Sequence, residues 1–396
     1  MEKTAVFEKN GNHITIHLQG RIDSTNAAET EAIILDAGKG CTTAEIDCTN
    51  LIYISSAGLR GLLKFRKAIP DISVTNTSDN IYNILDLTGF TEMMHVRRAF
   101  RKISVAGCEV IGSGANGTVY RYDEDTIVKV FHNPDALPDI ERERDLARTA
   151  FVLGIPTAIS YDIVQVDNGL YGSVFEMLNA DSYHHLLVNG KKTVDEIADM
   201  SSDLLKTVHN TTPKPNAFPS KKAVAMRQAE YAAEFLTEED YQKMLRLMDT
   251  IPDNPHMLHG DFHIKNVMIQ NDESLLIDMD TLCTGDPIFE ISGMYVSYIC
   301  FSKLDPGNPE QFFGLKEDVL RDLFHKTLTK YCEGTGQDPV LLEKKAAMIS
   351  AVRMLYYCGF GKHIKPELRD RAVQLFSEDI HTLMYELDDL SSHIEY

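Results

Sequence analysis

The segment His259-Gly260-Asp261-Phe262-His263-Ile264-Lys265-Asn266, with Ile277-Asp278-Met279-Asp280 shortly after it, constrains this chain more than any other stretch. It sets an aspartate in a loop, an asparagine five residues on, and a second aspartate after the apolar run Leu275-Leu276-Ile277. Phosphoryl transfer from ATP needs those groups: one carboxylate facing an acceptor hydroxyl, and an amide and a carboxylate on magnesium. Asp261 is therefore the candidate base, and Asn266 and Asp278 are the candidate magnesium ligands. Magnesium takes oxygen donors and few protein ligands, so phosphates and water would complete its shell. His259 and Asp280 are read as supporting residues, Asp280 on the same strand face as Asp278. Asp-x-x-x-x-Asn alone is common by chance, so the upstream segments decide.

Upstream, Gly112-Ser113-Gly114-Ala115-Asn116-Gly117-Thr118-Val119 fits G-x-G-x-x-G-x-V between two strands. Glycines there let backbone N–H groups approach phosphate oxygens. A dinucleotide fold would need a helix directly after the glycines. A strand follows instead, then Val128-Lys129-Val130, where alternation turns Lys129 away from its apolar neighbours. Gly112, Ser113, Gly114, Gly117, Val119 and Lys129 thus form a candidate nucleotide site. Lys129 needs an anion, and Glu143 is the candidate with Glu141 as its rival, since helix register is open. Val174-Phe175-Glu176-Met177 is either an interlobe hinge, offering the Glu176 carbonyl and Met177 N–H to adenine, or a plain strand end.

The first hundred residues alternate strand and helix, implying a sheet covered by helices. His13–Leu18 alternates as a half-buried strand. Helices are expected from Ser24 to Asp36, over Ala57–Lys67, and after Ser78, ending at Gly89; strands are expected at Ala44–Cys48 and Asp71–Val74. The basic run Arg97–Lys102 reads as a linker or connecting helix. Beyond residue 180 helices dominate, with Thr193-Val194-Asp195-Glu196 as a capping box.

A net charge of -20 over 396 residues argues against nonspecific nucleic-acid binding. The N-terminus lacks a signal-peptide core, and the longest apolar run, near Met294–Phe301, is too short for a membrane span. Seven scattered cysteines without a C-x-x-C pair suit a reducing bacterial cytoplasm and argue against structural zinc.

From about residue 104 to 396 the chain resembles the aminoglycoside phosphotransferase and choline kinase superfamily. Lys129, Glu143, Asp261, Asn266 and Asp278 carry the resemblance, as does Gly285-Asp286-Pro287 with Glu290 where that family has Asp. Eukaryotic-type protein kinases have lysine where this chain has His263, and D-F-G where it has Asp278-Met279-Asp280. The interval from Asp280 to Gly285 is also too short for an activation loop. These departures favour a small-molecule hydroxyl as acceptor.

Residues 1 to about 98 resemble an STAS domain, the fold of anti-sigma factor antagonists, through Gly20-Arg21-Ile22-Asp23, Ile46-Asp47-Cys48 and Tyr53-Ile54-Ser55-Ser56-Ala57-Gly58-Leu59. The resemblance makes Ser56 the possible phosphoacceptor, with Ser55 in place of the family's Asp. A phosphate at a helix N-terminus is tolerated electrostatically, yet it adds charge to a docking surface. The plain alternative is that Ser55 or Ser56 only caps the helix.

The expected fold is thus α/β (α+β): an STAS-type sheet-plus-helices domain over 1–98, a linker over 99–103, then a bilobal kinase-like fold. Its β-rich N-lobe spans 104–178 and its helical C-lobe 179–396. The expected function is ATP- and magnesium-dependent transfer to a hydroxyl acceptor, with the STAS domain docking a regulator such as an anti-sigma factor. Two alternatives stand beside it. One is a signalling kinase acting on an STAS serine, Ser56 or a partner's; the other is a non-catalytic nucleotide-binding protein.

Overall fold

The computed structural model describes residues 3–114, 116–178, 180–360 and 364–394. Ala115, in the glycine turn, and the last two residues of the expected C-lobe lie outside the described residues. The chain forms two compact units, Met1–Ser104 with Ile163–Asn168, and Val105–Asp162 with Gly169–Tyr396.

In the first unit, strands follow one another across a five-stranded sheet in chain order. Ala5–Asn10 pairs antiparallel with His13–Ile22; Thr43–Ile54, Asp71–Thr77 and His95–Arg98 then add in parallel. Ala5–Asn10 is an edge strand with only Ala5 buried, so it lacks the alternation that revealed its neighbour. Ile14, Ile16, Leu18, Ile46, Val74 and Phe65 fill the core beneath the helices Ala27–Ala37 and Ser56–Ala68. Ser78 caps Asp79–Leu87 by accepting from the Ile81 N–H. The run Arg97–Lys102 is neither linker nor helix: Arg97 and Arg98 end the sheet's last strand, and Arg101–Ile103 pairs in parallel with Val164–Val166. Backbone pairing with a distant segment overrode the local reading.

Asp47 ties this sheet together. Its carboxylate accepts from Thr49 Oγ1 at 2.6 Å and Asn76 Nδ2 at 2.9 Å, and meets His17 Nδ1 at 2.8 Å. Burial disfavours its charge, but these hydrogen bonds outweigh burial and bring its pKa from 3.8 to about 2. A depressed carboxyl stabilises the fold above its unfolded pKa and loses that contribution as pH falls through the folded value. Asp47→Asn is thus expected to cost about 2 kcal/mol at neutral pH, the gap narrowing from about pH 4 to pH 2. Urea unfolding of both proteins across that range checks this; a gap independent of pH would refute the assignment.

The second unit begins with antiparallel strands Glu109–Ser113, Gly117–Arg121, Thr126–Phe131 and Tyr171–Glu176, paired in the order first, second, third, fourth. Helix Leu137–Val152 follows the third. The rest is mainly helical. Thr193 and Glu196 make the expected capping box at Val194–His209, which buries Ile197, Leu204, Leu205 and Val208. Helix Ile288–Tyr295 is buried along its whole length and packs against Pro339–Phe360. It is the hub on which the loop after Leu258 rests. Among the described residues no helix is long and apolar enough to cross a membrane.

Candidate active site

Lys129 lies in the middle of Thr126–Phe131, where Val128 and Val130 are buried in the opposite direction. Its ammonium meets Asp278 Oδ1 at 2.5 Å and Glu143 Oε1 at 3.6 Å. Of the two candidate helix carboxylates, Glu143 is therefore the one that faces Lys129. Val119 stands directly across from Lys129 in the sheet, on the same face. Burial disfavours the Lys129 charge most, but Glu143 and Asp278 outweigh it and raise its pKa. Glu143 is pushed up, first by burial, against which Lys129 acts, and further by Asp280 and Asp278. Asp280 is pushed up as well, again mainly by burial. Three carboxylates thus share one ammonium, leaving surplus negative charge where a divalent cation would sit.

The strand Glu273–Leu276 ends before Asp278, contrary to the strand position expected for Asp278 and Asp280. Asp278 has φ 57 and ψ 65, left-handed values that Asp adopts more readily than most residues, and Asp280 lies in the short 3-10 turn Met279–Thr281. This turn swings the Asp278 carboxylate back toward Lys129.

The loop Gly260–Asn266 is held at several points. Asn266 Nδ2 donates to the Asp261 carbonyl at 3.0 Å and to its carboxylate at 3.3 Å. That leaves the amide oxygen as the atom for a cation. The Ile277 N–H donates to the Asn266 carbonyl at 3.0 Å, which brings Asn266 beside Asp278. His259 is fully buried, and its Nε2 meets the Ile277 carbonyl at 2.9 Å. Gly260 has φ +84, and a Cβ there would sit 2.3 Å from the Thr281 carbonyl oxygen, so only glycine fits. Among the described residues no three His, Cys, Asp or Glu side chains gather to hold a metal unaided. The Asn266/Asp278 oxygen pair with surrounding negative charge nonetheless fits magnesium, which relies on phosphates and water for the rest.

Several roles differ from the sequence reading. His263 is buried against Phe312 and Phe313, with Nε2 3.7 Å from the Asp261 carboxylate. Burial lowers its pKa despite Asp261, favouring the neutral ring. Gly117 is required by the close approach of the next strand, since its Cβ would meet the Val130 carbonyl oxygen at 2.6 Å. Gly112 pairs with Val119, Ser113 ends its strand exposed, and Gly114 N–H closes the turn on the Gly117 carbonyl at 2.9 Å. The Met177 N–H, which the hinge alternative would offer to adenine, donates to the Asp125 carbonyl at 2.7 Å. Pairing of Tyr171–Glu176 with Thr126–Phe131 runs one bond past the strand end and uses it. Glu176 ends that strand exposed.

Glu290 has a role that spacing did not reveal. Its carboxylate accepts from the His259 N–H at 2.5 Å, the Gly260 N–H at 3.0 Å and the Phe262 N–H at 3.4 Å. Burial opposes its charge, but the hydrogen bond to His209 and the fields of His259, His209 and Lys221 hold the carboxyl below its ordinary pKa. Gly285-Asp286-Pro287 is more than a turn. Asp286 is buried and accepts from the Ile288 N–H, Asn254 and the Ser392 N–H. Tyr298 is buried core whose hydroxyl accepts from the Ile264 N–H at 2.9 Å.

Residues 107–318, more than half of the chain, match the profile of the phosphotransferase enzyme family, and residues 4–103 match the STAS domain. None of the curated proteins matches the chain. The solved structures that resemble it include three aminoglycoside phosphotransferases. ADP-bound aminoglycoside phosphotransferase APH(2'')-Ib is 16% identical, over 78% of this chain and 99% of its own, with a TM-score of 0.46. The gentamicin complex of APH(2'')-IIa is 16% identical over 80% and 98%, with a TM-score of 0.46. A thermostable mutant of aminoglycoside phosphotransferase APH(4)-Ia is 11% identical over 70% and 94%, with a TM-score of 0.47.

Proposed function

Because the chain belongs to the phosphotransferase enzyme family, we propose that it transfers the γ-phosphoryl group of ATP to a hydroxyl of a small molecule, in the cytoplasm. The observation that carries this reading is the meeting of Lys129 with Glu143 and Asp278, the latter 149 residues away in sequence. Lys129, steadied by Glu143, would hold the nucleotide phosphates beside the glycine hairpin. Asn266 and Asp278 would hold magnesium, which when bound neutralises charge on the phosphate oxygens. Asp261 accepts the acceptor's proton, the freed oxygen bonds to the γ-phosphorus, and the bond to the bridging oxygen breaks with release of ADP. ADP formation with ATP and magnesium over a panel of hydroxyl compounds tests this. Magnesium-independent turnover would count against it.

The second reading, a kinase for an STAS serine, is favoured by one observation. Ser55, not Ser56, caps helix Ser56–Ala68, accepting from the Gly58 N–H at 3.4 Å. Ser56 is therefore exposed at the first turn, with its hydroxyl not engaged in capping. A phosphate there would change the charge of a surface suited to docking an anti-sigma factor or another regulator. Under the main reading, protein incubated with ATP and magnesium carries no phosphate on Ser56 by mass spectrometry. Stoichiometric label at Ser56, absent from Ser56→Ala, would shift the assignment to the second reading.

A further inference from the structure

Residues 389–394 carry no helix or strand, yet they are held at almost every step. Leu390, Ser391, Ser392 and Ile394 are buried. The Leu390 N–H donates to Thr250 Oγ1 at 2.9 Å, and the Ser391 N–H donates to the Asp389 carboxylate at 2.9 Å. Lys345, on helix Pro339–Phe360, is buried, and its ammonium donates to Asp389 Oδ1 and to the Ser391 carbonyl, each at 2.8 Å. A buried ammonium is costly unless it is paired and hydrogen-bonded, so Lys345 fixes the course of residues 389–391.

From that course two groups reach Asp286. The Ser391 hydroxyl donates to Asp286 Oδ2 at 3.3 Å, and the Ser392 N–H donates to Oδ1 at 3.1 Å. Asp286 also opens the turn that starts helix Ile288–Tyr295. The Ile288 N–H donates to its Oδ1 at 2.9 Å, the Phe289 N–H to its carbonyl at 3.0 Å, and the Glu290 N–H to the Pro287 carbonyl at 3.0 Å. One turn thus carries two buried carboxylates with different partners. Asp286 takes Ser391 and Ser392, and Glu290 takes the His259, Gly260 and Phe262 N–H groups of the catalytic loop. A shift of Asp286 moves the turn, and Glu290 moves with it.

We propose that Lys345 and residues 389–392 are positioning residues for the catalytic loop, acting through Asp286 and the helix start that carries Glu290. The effect on catalysis rests on the phosphotransferase reading; the hold on the loop does not, and amide hydrogen exchange of the full chain tests it alone. Lys345→Met fills the space with an apolar side chain, and Asp389, with its side chain 35% exposed, turns to water, so the fold is expected to survive. Exchange at the His259, Gly260 and Phe262 amides is expected to rise roughly tenfold, while helix Glu317–Cys332 exchanges as in wild type. Lys344 pairs with Glu386 at 2.7 Å, and Lys344→Met is the control expected to match wild type. Unchanged loop exchange, or faster exchange confined to residues 387–394, would overturn the proposal. If Lys345→Met exchanges faster throughout, Ser391→Ala decides, since it removes a single hydrogen bond to Asp286. A rise at the loop alone would then support the proposal, and no rise there would overturn it.

Kinetics supply the second arm, with ADP formation measured on whichever hydroxyl compound turns over fastest. Lys345→Met is expected to lower kcat roughly tenfold with KM for ATP unchanged, because a displaced loop shifts Asp261 and not the proposed nucleotide contacts. A merely structural role would lower the folded fraction and leave kcat per folded molecule as in wild type, and that result would overturn the positioning role. Absence of transfer to every compound would overturn the phosphotransferase reading, and loop exchange would still decide whether residues 389–392 hold the loop.

Discussion

Asp261→Asn is expected to lower kcat by roughly 10³-fold, within the range a positioned general base supplies, with KM for ATP little changed. The substitution keeps the side chain's size and its place in a loop held by Asn266 and Glu290. It removes the carboxylate proposed to take the proton. The proposed nucleotide contacts come from other segments, so ATP binding is expected to persist. Rapid-quench measurement of the transfer step beside ATP titration separates the two. A variant that kept most of its kcat would show that Asp261 is not the base and that orientation alone drives transfer.

Glu290 offers the second large effect. Glu290→Ala leaves the His259, Gly260 and Phe262 N–H groups without their buried acceptor, and is expected to cost about 3–5 kcal/mol of stability. Glu290→Asp is the sharper test, since it places the family's usual residue in this position. The charge is kept, but the carboxylate is drawn back by one methylene from donors now at 2.5 to 3.4 Å. A loop misplaced by about 1 Å can cost on the order of 10²-fold in rate. Glu290→Asp is therefore expected to lose activity on that scale while remaining folded. Circular dichroism with kcat measurement checks it, and full activity would mean that the loop is held by its other contacts. Both variants act through loop position, so their effect should fall on kcat more than on KM for ATP.

Much of the site was legible because its signals are local. The spacing of Asp261 and Asn266 places both in one loop, where their side chains touch. The glycine hairpin and the alternation about Lys129 follow from strand geometry, and the caps at Ser78 and Thr193 follow from hydrogen bonds spanning three residues. Ala5–Asn10 was not legible, because an exposed edge strand has no buried face to betray it. The engagement of Met177 N–H by Asp125 was hidden for a related reason: strand ends are set by the partner strand.

The sequence by itself determined the chemistry on offer: a lysine on a strand, two carboxylates and an amide in fixed order, and two successive domains. Those features are written in side-chain type, periodicity and short spacing. Tertiary structure alone decided which charges meet. It chose Glu143 for Lys129, turned Asp278 back through a left-handed residue, and brought Glu290 under the loop. Such meetings join segments tens of residues apart through side-chain and backbone hydrogen bonds, which no local pattern encodes.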